Sequence, residues 1–140
     1  IRGFFIGITE QAMSPGHLYR SLLEGNGFVL QQVLDVIHTV TGLELKEVRT
    51  SGGASRSDIQ NQIIADITDR PVLAVETSEA SLGSAVLALH SQGNQPPLSE
   101  VARRVVKIRK KFIATQDTHR AYLPALKRFA SITETLYGSR

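Results

Sequence analysis

Thr50-Ser51-Gly52-Gly53-Ala54-Ser55-Arg56-Ser57 joins two stretches of different periodicity through a pair of adjacent glycines. Ahead of it, Leu45, Val48 and the residues up to Ser51 have the β-branched content of a strand. Behind it, Ser57 to Asp69 carries Ile59, Ile63, Ile64 and Ile67 in a helical pattern. Strand, glycine turn and helix in that order put the turn at the C-terminal end of a strand, where open α/β sheets take their ligands. Two glycines let backbone approach a flat or anionic group with no Cβ in the way, and the start of a helix offers unpaired N–H donors. A nucleotide suits such a place. The stretch is neither Gly-x-x-x-x-Gly-Lys-Ser/Thr nor Gly-x-Gly-x-x-Gly, so a plainer reading stands beside the first: a tight turn in which Ser55 or Ser57 caps the helix.

Outward from the turn the same alternation continues. Pro71 to Val75 is a short strand, and Ser78 is a candidate cap for a helix running through Ala80, Ala85, Val86 and Leu89. Upstream, Gly3 to Ile8 has the aromatic and β-branched content of a strand. Ser14-Pro15 starts a long helix whose apolar stripe is Leu18, Leu22, Val29, Val33, Ile37 and Val40, ending near Thr41-Gly42. Gly25 and Gly27 inside that helix predict close approach of a neighbouring backbone. Ser91 to Pro97 is a loop by composition, followed by helical stretches over about 98 to 113 and 118 to 137. Alternating strands and helices predict an α/β fold with a short, mainly parallel sheet, packed helices and a C-terminal helical appendage.

The chain has 140 residues, enough for one domain, and 41% of them are apolar. Residues 1–140 are therefore expected to be a single domain, with a core over about 1–92 and the helical appendage over about 97–138. A strand beginning almost at Ile1 suggests the C-terminal piece of a longer protein. With no cysteine, thiol nucleophiles, Cys-ligated zinc and disulfide scaffolds are excluded, and a cytoplasmic setting is expected. Apolar runs are far too short to span a bilayer, so no membrane partner is expected. Sixteen Lys and Arg against 13 Asp and Glu give a net charge of only +3. That excess alone does not call for a polyanionic partner.

Beyond the turn, the register Gly52-Gly53-Ala54-Ser55-Arg56-Ser57, Gln62, Ala65-Asp66, Pro71-Val72 and Glu79-Ala80-Ser81-Leu82-Gly83-Ser84-Ala85 resembles the FGGY family of carbohydrate kinases. Arg2-Gly3-Phe4-Phe5-Ile6-Gly7-Ile8, eight residues, and then His17 to Gly25 look like that family's second signature. His119-Arg120-Ala121-Tyr122 and the helix to Tyr137 look like its closing stretch. The resemblance implies half of an actin-like, ribonuclease H-like ATPase domain. It implies a parent enzyme, an ATP-dependent carbohydrate kinase, that moves the γ-phosphoryl group of ATP to a sugar or polyol hydroxyl with Mg²⁺. By position, Gly53 and Ser57 match nucleotide-contacting residues, with Gly52 and Ala54 shaping the turn. The catalytic Asp, the sugar pocket and the phosphate loops of the family lie upstream, so no catalytic residue is expected here and the chain alone should be inactive. Its partners would be ATP, the sugar or polyol and the upstream lobe, and a homodimer is compatible. Ala54 stands where many members have glycine, Ser55 where they have alanine, and Gln60 where tryptophan is common.

Other residues carry weaker signals. Glu76 and Glu79 suit the first turn of a helix, and Asp66 suits a structural place near a helix end. His17, His38, His90 and His119 lack ligand spacing, so no metal site is expected. Arg103, Arg104, Lys107, Arg109, Lys110 and Lys111 load one expected helix with positive charge and give the rival reading, a basic interaction module that could take nucleic acid. Without a stacking motif or a helix-turn-helix, a solvated helix face fits better, and no nucleic acid is expected. A kinase-derived protein that has lost catalysis is a further alternative.

Overall fold

The computed structural model describes residues 5–76, 80–91, 93 and 96–138, with no side-chain detail at 80 and 81. Helix α1 (Pro15–Thr41) begins where Ser14 accepts the His17 N–H and Pro15 takes the first turn, and it ends where Gly42 turns left-handed and donates to the His38 carbonyl. Then come β1 (Val48–Thr50), a 3-10 turn over Gly52–Arg56, α2 (Asp58–Thr68), β2 (Val72–Val75), α3 (Ala80–Ser91), α4 (Leu98–Val105), β3 (Ile108–Phe112) and α5 (Gln116–Tyr137). The sheet order is β1-β2-β3. Strands β1 and β2 run parallel, with Val48 opposite Val72 and Thr50 opposite Ala74.

Helix α2 is the centre of the molecule, with Asn61 and every residue from Ile63 to Thr68 buried. One side of it packs Ile64 and Ala65 against Val72, Ala74 and Phe112, joined by Leu30 and Val48. The other packs Ile63 and Ile67 against Leu23 and Phe28 of α1, with Tyr122, Leu126 and Phe129 of α5 around them. The Phe28 ring stands edge-on to Tyr122 at 6.0 Å. A polar tie reinforces that seam: Arg20 donates to Glu24 and to the Tyr122 hydroxyl, and Tyr122 donates to Glu24. Burial raises the Tyr122 hydroxyl's pKa, and the bond to Arg20 opposes it.

Several expectations need correcting. Residues 98–113 are not one helix: α4 stops at Val105 and the chain turns extended into β3, antiparallel to β2. A helix there would have left the outer polar groups of β2 unpaired, and the β-branched run Val105-Val106 leads naturally into a strand. The sheet is therefore mixed, and the C-terminal helical part also supplies its third strand. The apolar stripe of α1 is displaced as well. Leu22, Val29, Val33 and Val40 are exposed, while Leu23, Gly27, Phe28 and Leu34 are buried. The helix carries two apolar faces, and the face with Gly27 is the one that can approach α2. A Cβ at Gly27 would meet Ile67 Cδ1 at 2.6 Å, a side chain rather than backbone, whereas at Gly25 it would meet nothing within 4 Å. Residues 5–8 of the expected first strand are not in a strand, because no neighbouring strand among the described residues pairs with them. Residues 3 and 4, the Ser78 cap and Glu79 lie outside the described residues.

Candidate functional site

The glycine turn leaves β1 at Thr50 and rises as one 3-10 turn into Ser57, the N-cap of α2. Gly52 has φ +73°, a conformation that costs any L-residue with a Cβ, so glycine is required there by backbone alone. Gly53 is different. Its φ is not positive, it is exposed, and a Cβ built on it would meet nothing within 4 Å. Ser57 accepts the Gln60 N–H at 3.3 Å, so the capping reading holds for Ser57, while the Ser55 hydroxyl donates to the Gly52 carbonyl at 2.8 Å.

Beneath the turn lies Asn61, fully buried. Its Nδ2 donates to the carbonyls of Ser57 at 2.9 Å, Ser55 at 3.2 Å and Ala54 at 3.4 Å, and its Oδ1 accepts from the buried Thr50 hydroxyl at 2.7 Å. One amide thus gathers three carbonyls of the turn and the last residue of β1 into a fixed shape. The remaining brace comes from β3. Arg109 Nη2 donates to the Ser55 carbonyl at 2.8 Å and to Asp58 Oδ1 at 2.7 Å, and Lys110 Nζ donates to Asp58 Oδ2 at 2.7 Å. Lys110, then Arg109, hold the Asp58 carboxyl below its usual range. Lys110 also lies 5.0 Å from the centre of the Phe112 ring.

The four residues singled out in the sequence, Gly52, Gly53, Ala54 and Ser57, therefore lie together on one turn. Asn61, Asp58, Arg109 and Lys110 were missed. A signal existed for Asn61, a short polar side chain inside an isoleucine-rich helix. None existed for Arg109 and Lys110 once their stretch was taken for a solvated helix face; they are solvent-exposed as expected, but on strand β3 rather than a helix, and there they pair with Asp58. Asp66 is structural as expected: it accepts the Thr115 N–H at 2.8 Å and Gln62 at 3.0 Å, while its carbonyl meets His119 Nδ1 at 2.8 Å. His17 bonds Ser14.

A shallow, open cleft of about 460 Å³ is lined by Glu44 to Lys46 and Thr68 to Arg70. These residues precede β1 and β2, so it opens at the end of the parallel pair opposite the turn. Position in the sheet favours the turn. Among the described residues no group of three or more His, Asp or Glu could hold a metal ion, and no helix is long and apolar enough to cross a membrane.

Comparison with known proteins matches residues 1–92 to the FGGY family of carbohydrate kinases, C-terminal domain. Glycerol kinase of Xanthomonas campestris pv. campestris is 35% identical over 105 residues, 74% of this chain and 21% of that protein. Glycerol kinase of Methylorubrum populi is 39% identical over 88 residues, 62% of this chain and 17% of that protein. Among solved structures, a xylulose kinase of Brucella ovis superposes with a TM-score of 0.84 at 25% identity, over 100% of this chain and 28% of that one. Plasmodium falciparum glycerol kinase, solved with ADP, does so with a TM-score of 0.72 at 26% identity, over 90% of this chain and 25% of that one. The chain spans about a fifth of the curated relatives it matches.

Proposed function

We propose that this chain, which belongs to the FGGY family of carbohydrate kinases, is the nucleotide-binding lobe of an enzyme that moves the γ-phosphoryl group of ATP to a sugar or polyol hydroxyl. One observation carries the proposal: Gly53 is a glycine that nothing among the described residues requires, on an open turn at the C-terminal end of a parallel strand. Backbone left bare in that way is open to a ligand. Gly52 and Ala54 give the turn its shape, Gly53 lets the nucleotide approach, and Ser57 stands at the N-terminus of α2, where the helix dipole favours negative charge.

Phosphoryl transfer is mostly positioning and electrostatic stabilisation, and this chain contributes the positioning of the nucleotide. The residues of the turn fit a nucleotide. They offer no ligand set for Mg²⁺, so no step on this chain is routed through the metal. The base that takes the hydroxyl proton belongs to the upstream lobe, and the chain by itself should bind nucleotide weakly and turn nothing over. The basic-module reading loses ground because two of its cations are committed to Asp58.

The test is ATP-dependent phosphorylation of glycerol, xylulose and gluconate by the full-length protein, with residues 1–140 alone as the control. Turnover by the full-length protein and none by the control is expected. No turnover by the full-length protein despite ATP binding would favour a kinase-derived protein without catalysis, and turnover by the control would overturn the division of labour.

A further inference from the structure

Arg109 and Lys110 are consecutive residues of a strand, and in a regular strand consecutive side chains point to opposite faces. Both nevertheless reach the same carboxylate, Asp58. The register explains how. Ala74 is opposite Lys110 while Val75 is opposite Ile108, so two steps along β3 match one step along β2 and Arg109 is the extra residue of a bulge. Bulges re-aim side chains and are over-represented beside functional sites. Here the bulge delivers a guanidinium to the Ser55 carbonyl and to Asp58, the first residue of α2, at 2.8 and 2.7 Å.

We propose that Arg109, Asp58 and Lys110 form a clamp that positions the glycine turn for nucleotide, and that Arg109 is its key positioning residue. The proposal rests on the nucleotide reading of the turn. Asn61 ties the turn from below to Thr50 at the end of β1, but it makes no bond to β3, the far strand of the sheet, and leaves the turn free relative to that strand. Arg109 closes that freedom by tying the middle of the turn to the far strand. Because Asp58 binds both cations, the pair acts as a brace on backbone rather than as a free positive patch. Both bonds come from one nitrogen, Nη2, whose two protons have directions fixed by the guanidinium plane, whereas the protons of an ammonium on a flexible stem rotate freely.

Calorimetric titration of magnesium ADP into the full-length protein, beside thermal unfolding without nucleotide, tests the clamp. Arg109→Gln and Asp58→Asn should each weaken ADP binding about three- to tenfold, the scale of one net hydrogen bond, and Arg109→Lys should lie between them and wild type. The double variant Arg109→Gln/Asp58→Asn should bind no worse than the weaker single, because both remove one device. The unfolding temperature should move by less than about 2 °C, since exposed ion pairs contribute little to stability. Two controls separate the possible failures. Lys111→Gln removes a neighbouring positive charge; if it weakens ADP as much as Arg109→Gln, charge alone is responsible and the clamp is overturned. Gly53→Val tests the turn itself. If it abolishes ADP binding while the clamp variants bind like wild type, the clamp is wrong and the turn stands; if it too binds like wild type, the nucleotide reading falls and takes the clamp with it. Should Asp58→Asn fail to fold, Arg109→Lys, which keeps the charge and loses the fixed direction of the Nη2 protons, decides between the same outcomes.

Discussion

Gly27 and Gly53 are glycines for opposite reasons. A Cβ at Gly27 would sit 2.6 Å from Ile67 Cδ1, so the residue is explained by what already surrounds it: α1 and α2 meet there. A Cβ at Gly53 would meet empty space, on backbone that needs no glycine for its conformation. The first is closed from within the chain and the second is open to something outside it. Small residues in helix contacts and small residues in binding turns look alike in a sequence, and only the surroundings tell them apart.

That contrast can be attacked by substitution, beginning beneath the turn. Asn61→Leu leaves the buried Thr50 hydroxyl without its partner and removes one of two donors from each of the Ala54, Ser55 and Ser57 carbonyls, and a loss of about 3 kcal/mol in urea unfolding is expected. A loss below about 0.5 kcal/mol would show that the shape of the turn does not depend on Asn61. Gly27→Val should cost about 2 kcal/mol by overpacking against Ile67, less if that side chain rotates away. At the turn itself, Gly52→Ala should cost about 1 kcal/mol through its left-handed backbone, while Gly53→Ala should stay within about 0.5 kcal/mol. A Gly53→Ala as damaging as Gly27→Val would erase the distinction. The smallest effect is that of pH. Asp58 titrates below its unfolded value because Lys110 and Arg109 favour its ionised form, so its contribution is fully present above about pH 4 and fades as pH falls through the lowered native value. Between pH 5 and 8 the Asp58 side-chain carbon resonance should not move; a titration step there would contradict the pairing.

Much of this was legible in the sequence. The turn, its strand and its helix follow from local signals: a β-branched run, two glycines, a serine cap and an isoleucine period. Ser14-Pro15 and Gly42 bound α1 as expected because caps act within a turn or two of chain. What the residues did not reveal depends on partners far along the chain. Which of α1's two apolar faces is inside is set by α2 and α5, not by α1's own pattern. Residues 108–112 have a helix-compatible, strongly basic sequence, yet the open side of β2 recruits them as a strand, and with that choice the exposed Arg109 and Lys110 both reach Asp58 and Arg109 reaches the turn. At the site, Gly52, Gly53, Ala54 and Ser57 share one short segment and could be named together. Asp58 and Arg109, 51 positions apart, could not.

The most direct test of the central claim is the effect of Gly53→Val on the full-length protein, read as apparent KM for ATP and for whichever of glycerol, xylulose and gluconate it phosphorylates fastest. If Gly53 is bare so that a nucleotide can approach, KM for ATP should rise about tenfold or more while that for the acceptor stays within about twofold. An equal rise in both, or no rise in either, would contradict it.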